Sequence, residues 1–157
     1  TAFARSQGLV ELWIIGPDGL GAQYVRNELE SYSKFENIYI KGVTGNVRQE
    51  LQKFDLFVAS SFVDFCPNIV LEAMSTGLPV IATNIPAHRH LLGDYECFYE
   101  PGNVDELTDQ VEKVISGLVD YSSLSRKMLE RCRHFEFSWQ QRFVDILSTE
   151  IEIHRAR

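Results

Sequence analysis

Asp64 and Glu72 stand eight positions apart in the stretch SSFVDFCPNIVLEAMSTGLPVIAT, residues 60–83. An ionised carboxylate accepts hydrogen bonds and donates none. A vicinal diol, with two donors, is its natural small-molecule partner. Pro67 lies between the acids, followed by Asn68, Ile69 and Val70. Proline is suited to the first position of a helix, where a missing N–H costs least, and Gly77 is suited to its end. The N–H groups of 68–70 then become first-turn donors without intrahelical acceptors. They sit at the positive end of the helix dipole, which favours phosphate. The order acid, amides, acid therefore suits the order sugar, diphosphate, ribose, with Asp64 at a polyol and Glu72 at a ribose. Spacing alone leaves another reading open. In it Asp64 is a loop residue favouring the helix start, and Glu72 is a solvated helix position.

The elements that must position these acids are short apolar runs alternating with helical patterns. VELWIIG (10–16), NIYIKG (37–42), DLFVASS (55–61), PVIATN (79–84) and CFYEP (97–101) are strand candidates, rich in Val, Ile, Phe and Tyr. Several are apolar on both faces, as buried parallel strands are. Helical spacing marks 22–35, 46–54, 67–77 and 104–119, the last with an apolar stripe of Leu107, Val111, Val114, Ile115 and Leu118 assigned to the core. Residues 121–153 read as two more helices, with Trp139 and Phe143 in the core. TAFARS, at the start, reads as the second half of an amphipathic helix. Such alternation predicts a Rossmann-like three-layer α/β/α domain over 1–157, with a parallel sheet of five or six strands. Ligands in such sheets bind at the carboxyl ends of the strands, where Asp64 and Pro67 fall.

Composition narrows the function classes. The chain has 157 residues, enough for one domain with a full core, and a formal charge of −7. A basic nucleic-acid surface is disfavoured, because phosphate neutralisation needs clustered Lys and Arg. Cys66, Cys97 and Cys132 are odd in number and lack metal-ligand spacing, so neither a disulfide framework nor a zinc site is expected, and a cytoplasmic setting is the default. No apolar run approaches the roughly 18 residues that span a membrane. GPDGLG (16–21) is not G-x-G-x-x-G and reads as a tight turn with nucleotide nearby rather than a nicotinamide site. Cys66 reads as a small apolar packing residue more than a reactive thiol. His88, Arg89 and His90 follow a strand end; contact with a ligand or the domain interface and a solvated helix start are both open for them.

DFCPNIVLEAMSTGLPVIAT closely resembles the donor-binding segment of the GT-B glycosyltransferases of family 4, the group 1 glycosyl transferases. That family's usual form is E-G-F-P-N-x-x-L-E-A-M-x-x-G-x-P-V-x-x-T. LWIIGPDG, NIYIKGVTGNVRQELQKFDLFVASS, TNIPAHRHLLGDYECFYEPGNVDEL and FSWQQRF resemble the family's other segments in the same order, across nearly the whole chain. The resemblance implies one half of a GT-B fold, the half that binds a nucleotide-sugar donor such as a UDP- or GDP-sugar. It implies that Glu72 binds the ribose and that Asp64, with Phe65, Cys66 and Pro67, lies by the donor sugar. Amides of Asn68, Ile69 and Val70 would hold the diphosphate, with Gly16, Val43 and Thr44 near the nucleotide. The implied reaction is sugar transfer with retained configuration, without metal or other cofactor. A preceding strand, two upstream basic residues and an acceptor-binding N-terminal domain are expected before Thr1, so this part alone is not expected to turn over. Through that half, association with the inner face of a membrane is expected to be open.

Three positions depart from the family's form. Asp64 replaces glutamate, shortening the reach by about 1.5 Å. Phe65 replaces glycine, which restricts close backbone approach and φ. Cys66 replaces an aromatic or leucine. A non-catalytic domain of the same fold, acting as a partner or regulatory subunit, is therefore an alternative. A nucleotide-sugar epimerase is another. A pyridoxal phosphorylase lacks a lysine near the motif, since none lies between Lys53 and Lys113.

Overall fold

A computed structural model of the chain describes residues 2–6, 9–16, 27 and 37–136. The strands are β1 (Ala2–Ser6), β2 (Leu9–Ile15), β3 (Ile38–Lys41), β4 (Leu56–Ala59), β5 (Val80–Thr83) and β6 (Phe98–Tyr99). The helices are α1 (Val47–Leu51), α2 (Asn68–Ser75), α3 (Pro86–Leu92), α4 (Val104–Ile115) and α5 (Tyr121–Cys132), with a 3₁₀ turn at Arg133–Phe135. The six strands form one sheet in the order β3-β2-β1-β4-β5-β6.

All five strands expected from the sequence form, and all five run the same way. β2 pairs parallel with β3, and β4, β5 and β6 pair parallel in turn. β1 lies antiparallel to both β2 and β4, which sets those two in a common direction. Every residue of β4 and β5 is buried, so helices cover both faces there. The core centres on Leu56, Val58, Val70, Met74, Ile81, Leu124 and Met128. α2 packs on α5, α3 packs on α5, and α4 packs on β5 and β6.

Several boundaries differ from the sequence reading. Ala2–Ser6 is a strand and not the end of a helix. Its five residues fit either period, and the slot between β2 and β4 satisfies its backbone. Pro67 caps α2 from outside instead of opening it. α4 stops at Ile115, with Ser116 as its cap and Gly117 at φ +76°. Leu118 therefore leaves the apolar stripe and is 80% exposed. The helix expected over 22–35, apart from a helical Asn27, and Trp139 and Phe143 lie outside the described residues.

Gly77 ends α2 with φ +74°, and a Cβ placed there would meet Ser125 Oγ at 3.0 Å and the Leu129 side chain at 3.3 Å. Gly77→Ala should therefore destabilise the domain by more than about 1 kcal/mol. Urea denaturation checks this; an unchanged midpoint would show that α2 and α5 can give way.

Candidate functional site

The carboxyl ends of β2, β3 and β4 and the first turns of α1 and α2 enclose a cavity of about 340 Å³. Trp13, Ile15, Val47, Leu51 and Phe57 make its walls apolar. Gly16, Val43, Thr44 and Ile69 close its outer side. An apolar cleft of this size at strand ends, with a few polar groups at its rim, is the usual form of a small-molecule site. Gly16 follows β2 directly, and its N–H donates to Lys41 O at 3.3 Å, so β2 and β3 end together at the cavity. Val43 and Thr44 make no backbone hydrogen bond among the described residues, which leaves their amides and carbonyls at the rim open.

Glu72 lies one turn beyond Ile69 on the same face of α2. It is exposed, and no side chain among the described residues pairs with its carboxylate. The structure thus brings Gly16, Val43, Thr44 and Ile69 to one mouth, with Glu72 one helical turn from Ile69.

The acid loop between β4 and α2 is braced by its own side chains. Asp64 Oδ1 accepts from the Cys66 N–H at 3.0 Å, which leaves the second carboxylate oxygen available. Cys66 Sγ lies 3.4 Å from Asn68 Oδ1, and Cys66 is exposed rather than packed in the core. Phe65 projects from this brace and is 95% exposed. Two of the three first-turn amides already donate. Asn68 N–H reaches Cys66 O at 2.8 Å, and Val70 N–H reaches Pro67 O at 2.9 Å. Ile69 N–H is the amide of the three with no partner among the described residues. α2 has no side-chain cap and no acid in its first turn, so its own residues leave its positive end unneutralised.

Of the basic triplet, Arg89 and His90 are exposed and His88 is fully buried. The solvated reading does not hold for His88, which is buried and bonded to Thr83. Arg89 lies over the Phe98 ring at 3.9 Å and donates from Nε to Asn84 Oδ1 at 2.6 Å.

Glu50 also lines the cavity; it is 7% exposed and bridges Lys41 at 2.6 Å and Lys53 at 2.8 Å. Trp13 stacks on Tyr39 beside this cluster, with centroids 4.4 Å apart. Sequence reasoning missed Glu50, and also Val47 and Phe57 as cavity walls. The available signal was lysines at 41 and 53 on either side of an acid in a helix with an apolar face. The hydrogen bond from Lys41, then that from Lys53, holds the Glu50 carboxyl below the usual carboxylate range. Burial pushes the Cys97 and Cys132 thiols up.

A sequence profile of the family Glycosyl transferases group 1 matches residues 2–117. The Vi polysaccharide biosynthesis protein VipC/TviE of Salmonella typhi is 28% identical over 141 residues, covering 83% of this chain and 22% of that protein. The crystal structure of S. aureus TarM in complex with fondaparinux, alpha-GlcNAc-glycerol and UDP superposes with a TM-score of 0.76 at 21% identity, over 90% of this chain and 29% of that one. Anabaena Alr3699/HepE in complex with UDP gives 0.76 at 17% identity, over 88% and 41%. The fold is the Rossmann-like half of a GT-B protein. The chain spans less than half the length of each of these proteins. No helix among the described residues is long and apolar enough to cross a membrane.

Two outcomes follow from this geometry. A folded-state pKa held low gives Glu50 a stabilising contribution that is complete above the ordinary carboxylate range and is lost as the pH falls through its lowered value. Wild-type urea midpoints should therefore fall on acidification more steeply than those of Glu50→Gln; equal slopes would remove Glu50 from the acid response. In native protein, a disulfide reagent such as DTNB should modify one thiol rapidly, and Cys66→Ser should abolish that phase. Fast labelling of Cys97 or Cys132 would contradict their burial.

Proposed function

Because the chain belongs to the group 1 glycosyl transferases, we propose that it binds a nucleotide-diphosphate sugar for transfer to an acceptor. The observation that carries this reading is the meeting of Gly16, Val43, Thr44 and Ile69 around one apolar cavity, one helical turn from the unpaired Glu72. The cavity takes the base between apolar walls, with the open Val43 and Thr44 backbone at its edge. Glu72 accepts from the two ribose hydroxyls. Ile69 N–H and the uncapped end of α2 face the diphosphate. The second oxygen of Asp64 takes a hydroxyl of the donor sugar, and Phe65 and Cys66 border it.

In this reading the domain is the C-terminal, donor-binding half of a family 4 enzyme, transferring a hexose with retention. As the bond from the anomeric carbon to diphosphate oxygen breaks, negative charge grows on the departing diphosphate. Fixed amides and a helix dipole stabilise that charge without reorganising. Ile69 N–H and α2 supply part of this, and upstream cationic side chains and an acceptor domain complete it, so no metal is required. In a sheet ordered 3-2-1-4-5-6 the middle slot suits a parallel first strand, and β1 fills it here in the opposite sense. An upstream strand would compete with β1 for that slot.

A second reading keeps the fold as a non-catalytic partner domain. It is favoured by Phe65, fully presented at the site, and by Asp64, half engaged by its own loop. Phe65→Gly and Asp64→Glu in the full-length protein separate the two. If the wild type transfers sugar from a donor panel, the second reading falls. If it is inactive and the double substitution gains activity, the second reading stands.

The binding test is calorimetry with UDP, GDP, ADP and their sugar conjugates on wild type and Glu72→Ala. One nucleotide class should bind the wild type. Its affinity should drop roughly tenfold to a hundredfold in Glu72→Ala, the loss of charge-assisted hydrogen bonds. Equal affinities in both proteins would remove Glu72 from the site.

A further inference from the structure

Thr83 closes β5, and its hydroxyl oxygen lies 2.6 Å from Ser61 O and 3.0 Å from His88 Nδ1. His88 Nδ1 also lies 3.0 Å from the carbonyl oxygen of Thr83. A carbonyl oxygen only accepts. The hydrogens are therefore fixed: the Thr83 hydroxyl donates to Ser61 O, and His88 Nδ1–H donates toward Thr83 O and Oγ1. Nδ1 of the ring therefore carries a hydrogen. Nε2 is buried without a partner among the described residues.

The consequence falls on the acid loop. Ser61 is the second residue after β4 and stands three residues before Asp64. The far end of the loop is braced by the bonds among Asp64, Cys66 and Asn68. The near end is held by the Thr83 hydroxyl on Ser61 O. A hydroxyl rotor alone can turn away from an acceptor. With Nδ1–H presented from the other side, its hydrogen has Ser61 O as its acceptor.

We propose that His88 is a positioning residue: through Thr83 it clasps Ser61 and sets the loop that presents Asp64 and Phe65. The clasp itself stands on the geometry above; only its effect on donor binding rests on the proposed function.

Amide hydrogen exchange at Cys66 and Asn68, the hydrogen-bonded amides of the loop and its junction with α2, tests the clasp in the full-length protein, alongside thermal unfolding. The variants are His88→Asn, His88→Gln and His88→Phe, with Thr83→Ser and Thr83→Val. Asn places a donor near the position of Nδ1, whereas Gln places one near Nε2. Exchange in the loop should rise about tenfold in His88→Gln, His88→Phe and Thr83→Val, the loss of one hydrogen bond. His88→Asn and Thr83→Ser should stay near wild type. If His88→Phe does not fold, the Thr83 pair gives the same reading. Loop exchange unchanged in folded Gln, Phe and Val variants would overturn the proposal, and so would a rise spread evenly over the chain. Imidazole ¹⁵N shifts of a ring protonated on Nε2 alone would overturn it as well. The functional readout is the ratio of affinity for the nucleotide that calorimetry selects to that for its sugar conjugate, UDP and UDP-glucose where UDP is selected. The loosened variants should lose the increment due to the sugar and keep nucleotide affinity, whereas a general structural defect lowers both. If the wild type binds no nucleotide or nucleotide sugar of the calorimetric panel, the donor reading fails while the exchange result still decides the clasp.

Discussion

β4 and β5 are buried on both faces, and this constraint shapes everything at their ends. A strand with no solvent face has no place for polar side chains along its length. Leu56–Ala59 and Val80–Thr83 accordingly carry one hydroxyl between them, at the last position of β5. Polar chemistry is forced out to the carboxyl edge, into the loop 60–67 and the start of α2. There the backbone groups released by the strand ends need partners. Some find them within the loop, some in Thr83, and the remainder define what a ligand can use.

The site differs from a simple acid–amide–acid row because the loop satisfies much of itself. Asp64 serves first as the acceptor of an Asx turn, and a short polar side chain near its own backbone commonly does so. Asn68 and Val70 donate to the turn that starts α2. What is left open is a smaller set: one carboxylate oxygen, one amide and the free Glu72. The shorter acid at 64 and the aromatic at 65 belong to this economy, since Asp closes the turn onto Cys66 while the Phe65 ring is directed outward.

The five parallel strands were legible in the sequence because each is a run of β-branched and aromatic residues ended by turn formers. Gly16, Val43 and Thr44 were legible as site neighbours through the family's order of segments, and the structure brings them to one cavity. Three features were not legible. Ala2–Ser6 carries too few residues to separate a helical from an alternating period, and its state is decided by an open slot in the sheet. The start of α2 lies one residue from where the sequence pattern placed it, at Pro67, and the end of α4 four residues from it, ahead of Gly117. His88 looks like a polar residue at a helix start. Its burial depends on Thr83, whose hydroxyl and carbonyl both point at Nδ1. Separation of five residues across a strand–helix turn is not a spacing that sequence patterns reveal.

The central claim is that one cavity and one helix start hold the two ends of a nucleotide-diphosphate sugar. A crystal structure of the full-length protein soaked with the nucleotide that calorimetry selects tests it most directly. The account predicts the base against Val43, Thr44 and Ile69, the ribose within hydrogen-bond distance of Glu72, and the diphosphate at Ile69 N–H. A nucleotide seated elsewhere, with the cavity between β2, β3 and α2 empty and Glu72 facing solvent, would contradict it.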